Sequence, residues 1–173
     1  MTDSDERTEQ AFENLARSLL RTVKERNIDD PLMIGIHTGG AWLAEKLRSQ
    51  LGISEPLGLL DISFYRDDFS RVGVNPTIRP SHLPFNVEGR QLLLIDDVLY
   101  TGRTIRAALN EIFDYGRPNS IVLGVLVERD GREVPIQADC VGSRMNLLKN
   151  QRIKLAGPNP LRLDINTIDP EIE

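Results

Sequence analysis

The chain predicts an α/β fold: a central, mostly parallel twisted sheet flanked by helices. Three observations carry that expectation. The apolar runs Leu32–Ile36, Leu92–Ile95 and Ile121–Val127 lack the alternation of a half-exposed strand and suit parallel strands covered on both faces. Stretches with apolar residues at helical spacing, Glu6–Asn27, Ala41–Leu51 and Ile105–Tyr115, alternate with them. Two of the strands pass directly into a glycine-bearing loop that opens a helix. At 173 residues the chain is expected to form one domain over 1–173, long enough to bury a substantial core.

Composition narrows the class. With 40% hydrophobic and 27% charged residues the chain reads as an ordinary globular protein. No apolar run approaches a membrane span, and the acidic start MTDSDERTEQ is unlike a signal or transit segment, so a cytoplasmic setting is expected. A single cysteine, Cys140, leaves no intrachain disulfide and no cysteine metal cluster; it reads as a partly buried bystander. A net charge of −5 argues against indiscriminate nucleic-acid binding while leaving room for a local basic face.

Taken in order, the first helix turns Phe12, Leu15, Ala16, Leu19 and Val23 toward the core. Arg17, Arg21 and Lys24 follow the same period on a nearly opposite face, either as a solvated surface or as an anion- or RNA-contacting stripe. Asn27 and Asp29-Asp30-Pro31 end the helix. Leu32–Ile36 then runs into His37-Thr38-Gly39-Gly40, where two glycines let backbone N–H groups cup an anion. Trp42, on the following helix, is expected to pack that helix on the sheet. A third strand is predicted over Leu57–Phe64. It is followed to about Pro84 by a polar stretch broken by Gly73, Pro76, Pro80 and Pro84. A connection of that length reads as a mobile hairpin over the site, about residues 64–84.

The stretch Leu92–Thr104, LLLIDDVLYTGRT, organises the chain. A buried strand ends in Asp96 and Asp97, and a turn with Thr101, Gly102, Arg103 and Thr104 opens a helix. Free amides and the dipole at such a helix start favour a phosphate, and the two threonine hydroxyls can donate to its oxygens. The adjacent carboxylates are acceptors suited to vicinal hydroxyls. Phosphate donors beside a diol acceptor describe a ribose-5-phosphate site. The helix that follows ends at Gly116-Arg117-Pro118. The loop after Ile121–Val127 lies beside this motif in a doubly wound sheet, where it can receive a base. A short strand over Arg152–Leu155 precedes an acidic tail, about 158–173.

The 13-residue motif resembles the signature of type I phosphoribosyltransferases, which bind phosphoribosyl diphosphate (PRPP). DISFYRDDFS, YGRP and the REVPI–AD–VG run extend the resemblance to the PyrR family, the pyrimidine operon regulators with uracil phosphoribosyltransferase activity, over the chain to about Gly142. The resemblance implies the type I phosphoribosyltransferase fold with a flexible hood over the site. It implies transfer of ribose-5-phosphate from PRPP to uracil, giving UMP and diphosphate, coupled to regulation of pyrimidine biosynthesis genes. Asp96, Asp97 and Arg66 would be catalytic, with Arg66 and Arg79 meeting the diphosphate as a lid closes. PRPP and UMP would be held by Thr38, Gly39, Gly40, Asp96, Asp97, Val98, Leu99, Tyr100, Thr101, Gly102, Arg103, Thr104 and Arg129. Mg²⁺ would be bound mainly through PRPP oxygens and water, with no direct protein ligand set. A homodimer or higher homo-oligomer is expected, with no membrane partner.

The chain departs from the family pattern in its charges. Thr38-Gly39-Gly40 stands where Thr-Arg-Gly is frequent, which removes one cation from the expected diphosphate loop. Glu128-Arg129-Asp130-Gly131-Arg132-Glu133 stands where RNA-binding members read DRGHRE, and Gln137 and Ser143 replace basic residues. Arg17, Arg21 and Arg132 remain as candidate contacts for pyr leader mRNA, each lost phosphate contact lowering affinity and its salt dependence. The alternative reading is a catalytically weak, UMP- and PRPP-sensing RNA-binding attenuator.

Overall fold

The computed structural model describes residues 3–63 and 80–168. Helix α1 spans Asp3–Glu25, β1 Leu32–Ile36, α2 Gly39–Gln50 and β2 Gly58–Leu60. Strand β3 spans Gln91–Leu99, α3 Arg103–Tyr115, β4 Ser120–Arg129 and β5 Cys140–Met145. Strands β6, Gln151–Ala156, and β7, Arg162–Thr167, follow. The first five strands form one parallel sheet in the order β2-β1-β3-β4-β5, and β6 and β7 form an antiparallel pair. Because β2 lies on one side of β1 and β3 on the other, the strand order reverses between β1 and β3. The carboxyl ends of those two strands therefore open onto the crevice where such sheets bind ligands.

Two apolar layers cover the sheet. On one face Leu15 and Leu19 of α1 and Leu43 and Leu47 of α2 pack with Leu93, Ile95 and Leu126, and Leu155 and Leu163 of the β6–β7 pair join them. On the other, Ile105, Ala108 and Ile112 of α3 pack with Ile34, Leu92, Leu94 and Leu123. Each fully buried leucine here contributes about 1.5–3 kcal/mol relative to exposure. Of the predicted core positions of α1, Leu15, Ala16 and Leu19 are fully buried, and Phe12 and Val23 pack partly buried at the margin. Three acidic residues in its first turn, Asp3, Asp5 and Glu6, suit the helix dipole. Cys140 is buried entirely, its sulfur 3.3 Å from the Thr22 hydroxyl.

The elements differ from the sequence reading in several places. Strand β2 ends at Leu60 rather than continuing to Phe64, because the Asp61 side chain captures the Ser63 amide at 3.0 Å and its hydroxyl as well. Strand β3 runs on to Leu99 rather than ending at Ile95, because β4 stays paired beside it, Asp96 with Val125 and Leu99 with Glu128. The two carboxylates therefore sit within the strand. The tail contributes a strand, β7, where none was predicted, and Val141-Gly142 belong to β5. Residues 64–79 of the predicted hairpin, including Arg66 and Arg79, lie outside the described residues. Its far end pairs back on β2, with Leu59 and His82 exchanging backbone bonds of 2.8 and 2.7 Å.

Candidate active site

Two strand–loop–helix units meet at the crevice. In the first, β1 ends at Ile36, the His37–Thr38 peptide is cis, and α2 starts at Gly39. Thr38 makes no side-chain cap bond, so the opening amides of α2 have no hydroxyl acceptor from it. The glycines are there because nothing larger fits. A Cβ on residue 39 would lie 2.7 Å from the Asp97 carboxyl carbon, and one on residue 40 would lie 2.6 Å from the Ile95 carbonyl oxygen. Trp42 packs at the margin of the core and also lies against Gly157 beyond β6, the ideal Cβ of which would approach its ring to 2.8 Å.

The second unit lies on the neighbouring strand. Asp96 is only 2% exposed and Asp97 is half-buried. The Asp97 amide donates to Asp96 Oδ1 and the Val98 amide to Asp97 Oδ1, both at 3.0 Å. Each carboxylate is thus oriented by the strand that carries it, and both lie against the N-terminal turn of α2, whose dipole favours negative charge. After Leu99 the chain turns through Tyr100, Thr101 and Gly102, and Gly102 adopts φ 90° before α3 begins at Arg103. The Arg103 amide donates to the Thr101 hydroxyl at 3.2 Å, and the Thr101 carbonyl accepts from the Glu133 and Val134 amides at 3.0 and 3.1 Å. The turn is therefore braced from behind by the β4–β5 connection. Arg103 pairs with Glu133 at 2.8 Å.

A cavity of about 390 Å³ lies beside this turn, lined by residues 98–105, by Arg129 and by Lys149, Gln151, Arg152 and Ile153. The last four escaped the sequence reading. The alternation of Ile153 and Leu155 with Arg152 and Lys154 signals a strand, but nothing local says that it walls the site. Arg129, at the end of β4, donates from Nη1 to the Gln151 carbonyl at 3.2 Å, and its guanidinium stands 4.1 Å from the centre of the Tyr100 ring. Gly131, φ 108°, lies against the edge of that ring, the Cδ2 of which would be 3.2 Å from a Cβ there.

The structure brings Thr38, Gly39, Gly40, Asp96 and Asp97 together at the crevice, and Tyr100 to Thr104 with Arg129 around the cavity. Arg132 is turned inward, donating to Glu128 at 2.8 Å and to the Tyr100 carbonyl. Arg17 and Arg21 are exposed on α1, which covers the sheet face opposite α3, and Arg21 lies 3.9 Å from Glu25. Among the described residues no helix is long and apolar enough to cross a membrane.

Comparison with known proteins agrees with this geometry. Residues 4–155 match the phosphoribosyl transferase domain family. The chain is 58% identical over 161 residues to the Bifunctional protein PyrR of Nitrosococcus oceani, covering 92% of this chain and 91% of that protein. It is 54% identical over 150 residues to the Bifunctional protein PyrR of Pseudomonas aeruginosa, covering 87% and 88%. Among solved structures, the hypoxanthine phosphoribosyltransferase of Trypanosoma cruzi superimposes with a TM-score of 0.62 at 20% identity, over 87% of this chain and 82% of that one. A hypoxanthine-guanine-xanthine phosphoribosyltransferase gives 0.65 at 17% identity, over 95% and 93%. The structural likenesses establish the fold. The family match and the sequence identities place this chain in the PyrR family of phosphoribosyl transferase-domain proteins.

Proposed function

We propose that this protein transfers ribose-5-phosphate from PRPP to N1 of uracil, releasing diphosphate and forming UMP, and that this activity is joined to regulation of pyrimidine biosynthesis genes. The observation that supports it best is the pairing of two helix N-termini with two carboxylates between them, on adjacent strands of the reversal point. In this reading the turn Tyr100–Thr104 receives the 5′-phosphate, Asp97 and the more deeply buried Asp96 accept from the ribose hydroxyls, and Thr38–Gly40 cradle the diphosphate. The geometry acts by holding C1′ of the ribose in line between base and diphosphate, so that positioning and charge stabilisation supply most of the acceleration. Arg66 belongs to this proposal as a further diphosphate contact, on the strength of its motif alone. So do a cytoplasmic setting and a homodimeric or larger assembly.

Mg²⁺ fits this chemistry through the hard oxygens of PRPP. Among the described residues no group of three or more acidic, histidine or cysteine side chains is arranged to enclose a metal. Asp96 and Asp97 are the nearby carboxylates that would orient its water shell. The ion supplies neutralisation of the departing diphosphate.

Regulation through leader mRNA would fall to Arg17 and Arg21 on the exposed side of α1, since Arg132 is engaged by Glu128 and Tyr100. Two measurements test the whole reading. UMP formation from uracil, PRPP and Mg²⁺ is expected in the wild type and is expected to fall at least about a hundredfold in Asp97→Asn. Absence of turnover with UMP still bound would favour the attenuator reading, and salt-dependent binding of a pyr leader transcript, weakened in Arg17→Ala/Arg21→Ala, is the measure of that part.

A further inference from the structure

The cavity beside the Tyr100–Thr104 turn has a one-sided electrostatic lining. Its charged side chains are Arg103, Arg129, Lys149 and Arg152, and among the described residues neither a carboxylate nor an imidazole lines it. Arg103 is already paired with Glu133, and Lys149 and Arg152 are exposed to water. Arg129 differs from all three. It is 9% exposed, its Nε is buried with no hydrogen-bond partner, and beyond the Gln151 carbonyl and the Tyr100 ring it has no partner among the described residues. A guanidinium taken out of water without a counter-ion is unfavourable, and a fold that keeps one there leaves room for an anion.

Which anion follows from the arrangement. The phosphate is provided for at the start of α3 by helix amides and by the Thr101 and Thr104 hydroxyls. Arg129 instead comes from β4 and is fastened to β6, the element that completes the cavity wall. The transfer has a second anion. N1 of uracil carries a proton that must leave before or as the glycosidic bond forms, and among the described residues no carboxylate or imidazole lines the cavity to take it. We infer that Arg129 is the buried counter-charge that stabilises the N1-deprotonated pyrimidine for attack. The inference rests on the uracil-transfer reading above.

The step balances without a further reactant. The N1 proton passes to solvent water and the pyrimidine anion forms the N1–C1′ bond. The C1′–O bond to diphosphate breaks, and diphosphate leaves with that electron pair. A cation fixed in a partly dehydrated cavity favours the anion over the neutral base more strongly than one in water.

The test compares uracil with 5-fluorouracil, whose ring N–H is more acidic and needs less stabilisation, in wild type, Arg129→Gln and Arg129→Lys. In Arg129→Gln, kcat/KM for uracil is expected to fall about a hundredfold and that for 5-fluorouracil less than about tenfold. The rise of kcat/KM with pH for uracil is expected to move to higher pH in the same variant. Lysine at 129 should restore most of the activity. Equal losses on the two pyrimidines or an unmoved pH profile would each overturn the inference. A wild type inactive on uracil would sink the transfer reading and the inference together, whereas an active wild type with equal losses sinks the inference alone. Should the glutamine variant not fold, Arg129→Met provides the same comparison.

Discussion

Gly39 and Asp97 touch across two strands: an ideal Cβ on residue 39 would come within 2.7 Å of the Asp97 carboxyl carbon. The loop after β1 and the acid pair of β3 are therefore one unit, and the sequence pattern Thr-Gly-Gly has a steric reason beyond loop flexibility. Any side chain at 39 must displace the Asp97 carboxylate, to which the proposed reaction assigns the ribose hydroxyls.

Gly39→Ala is accordingly expected to act on catalysis more than on folding. Its Cβ displaces the Asp97 side chain by a fraction of an ångström or more, and misplacements of that order in a positioned site lower kcat/KM by about ten- to a hundredfold. Steady-state kinetics with PRPP varied would read this, alongside a melting curve close to wild type. Unchanged kinetics would show that Asp97 is not held by this contact.

How far the sequence was legible depended on where the determinants lie. Leu32–Ile36 was readable to the residue, because it is buried on both faces and bounded by Pro31 before it and the His37-Thr38-Gly39-Gly40 loop after it. The turn through Thr101 and Gly102 and the helix start after it were readable because a glycine turn into a helix is stated locally. Strand β3 was read too short because adjacent aspartates look like a strand end, and only β4 alongside them keeps them in the ladder. The wall formed by Lys149, Gln151 and Arg152 was not readable, since its strand is short and half-exposed and its place in the site is a tertiary fact. Arg129 was named through the family resemblance, but its burial, created by Tyr100 and by the β6 backbone, was not readable.

The core offers a contrast that checks the packing. Leu19 is fully buried between α1 and the sheet, whereas Ile165 on β7 is 37% exposed. Leu19→Ala should lower unfolding free energy by about 2–5 kcal/mol, and Ile165→Ala by less than about 1 kcal/mol. Urea denaturation of the two variants would measure the difference. Comparable losses would mean that β7 belongs to the core more than its exposure indicates.

Position 131 tests the relation between this chain and the DRGHRE pattern. Gly131 has φ 108°, and a Cβ there would enter the Tyr100 ring edge. Gly131→His is therefore expected to destabilise the protein by about 1–3 kcal/mol through backbone strain, with a further loss from moving Tyr100 off Arg129. Denaturation would give the first effect, and a raised KM for PRPP or weakened UMP binding would reveal the second. A histidine accepted without loss would mean that the β4–β5 connection readily takes another conformation.

Glu128 joins two arginines of unequal exposure. It accepts from Arg132 at 2.8 Å and from Arg144 at 3.0 Å, yet the two partners are not equivalent. The Arg144 side chain is 74% exposed, so its pair is screened by water, and Arg144→Ala should change stability by less than about 0.5–1 kcal/mol. Arg132 is 24% exposed and also donates to the Tyr100 carbonyl, so it ties Glu128 to the turn that opens α3. Glu128→Gln leaves that partly buried guanidinium without its carboxylate, with an expected destabilisation of about 1–3 kcal/mol. The same change releases Arg132 toward solvent, where it adds a free cation near the site. Tighter binding of a polyanion such as a leader transcript by Glu128→Gln, steeper in its salt dependence than wild type, would follow if the engaged state of Arg132 is what limits RNA contact. Unaltered RNA binding with lowered stability would confine Arg132 to bracing the Tyr100 turn.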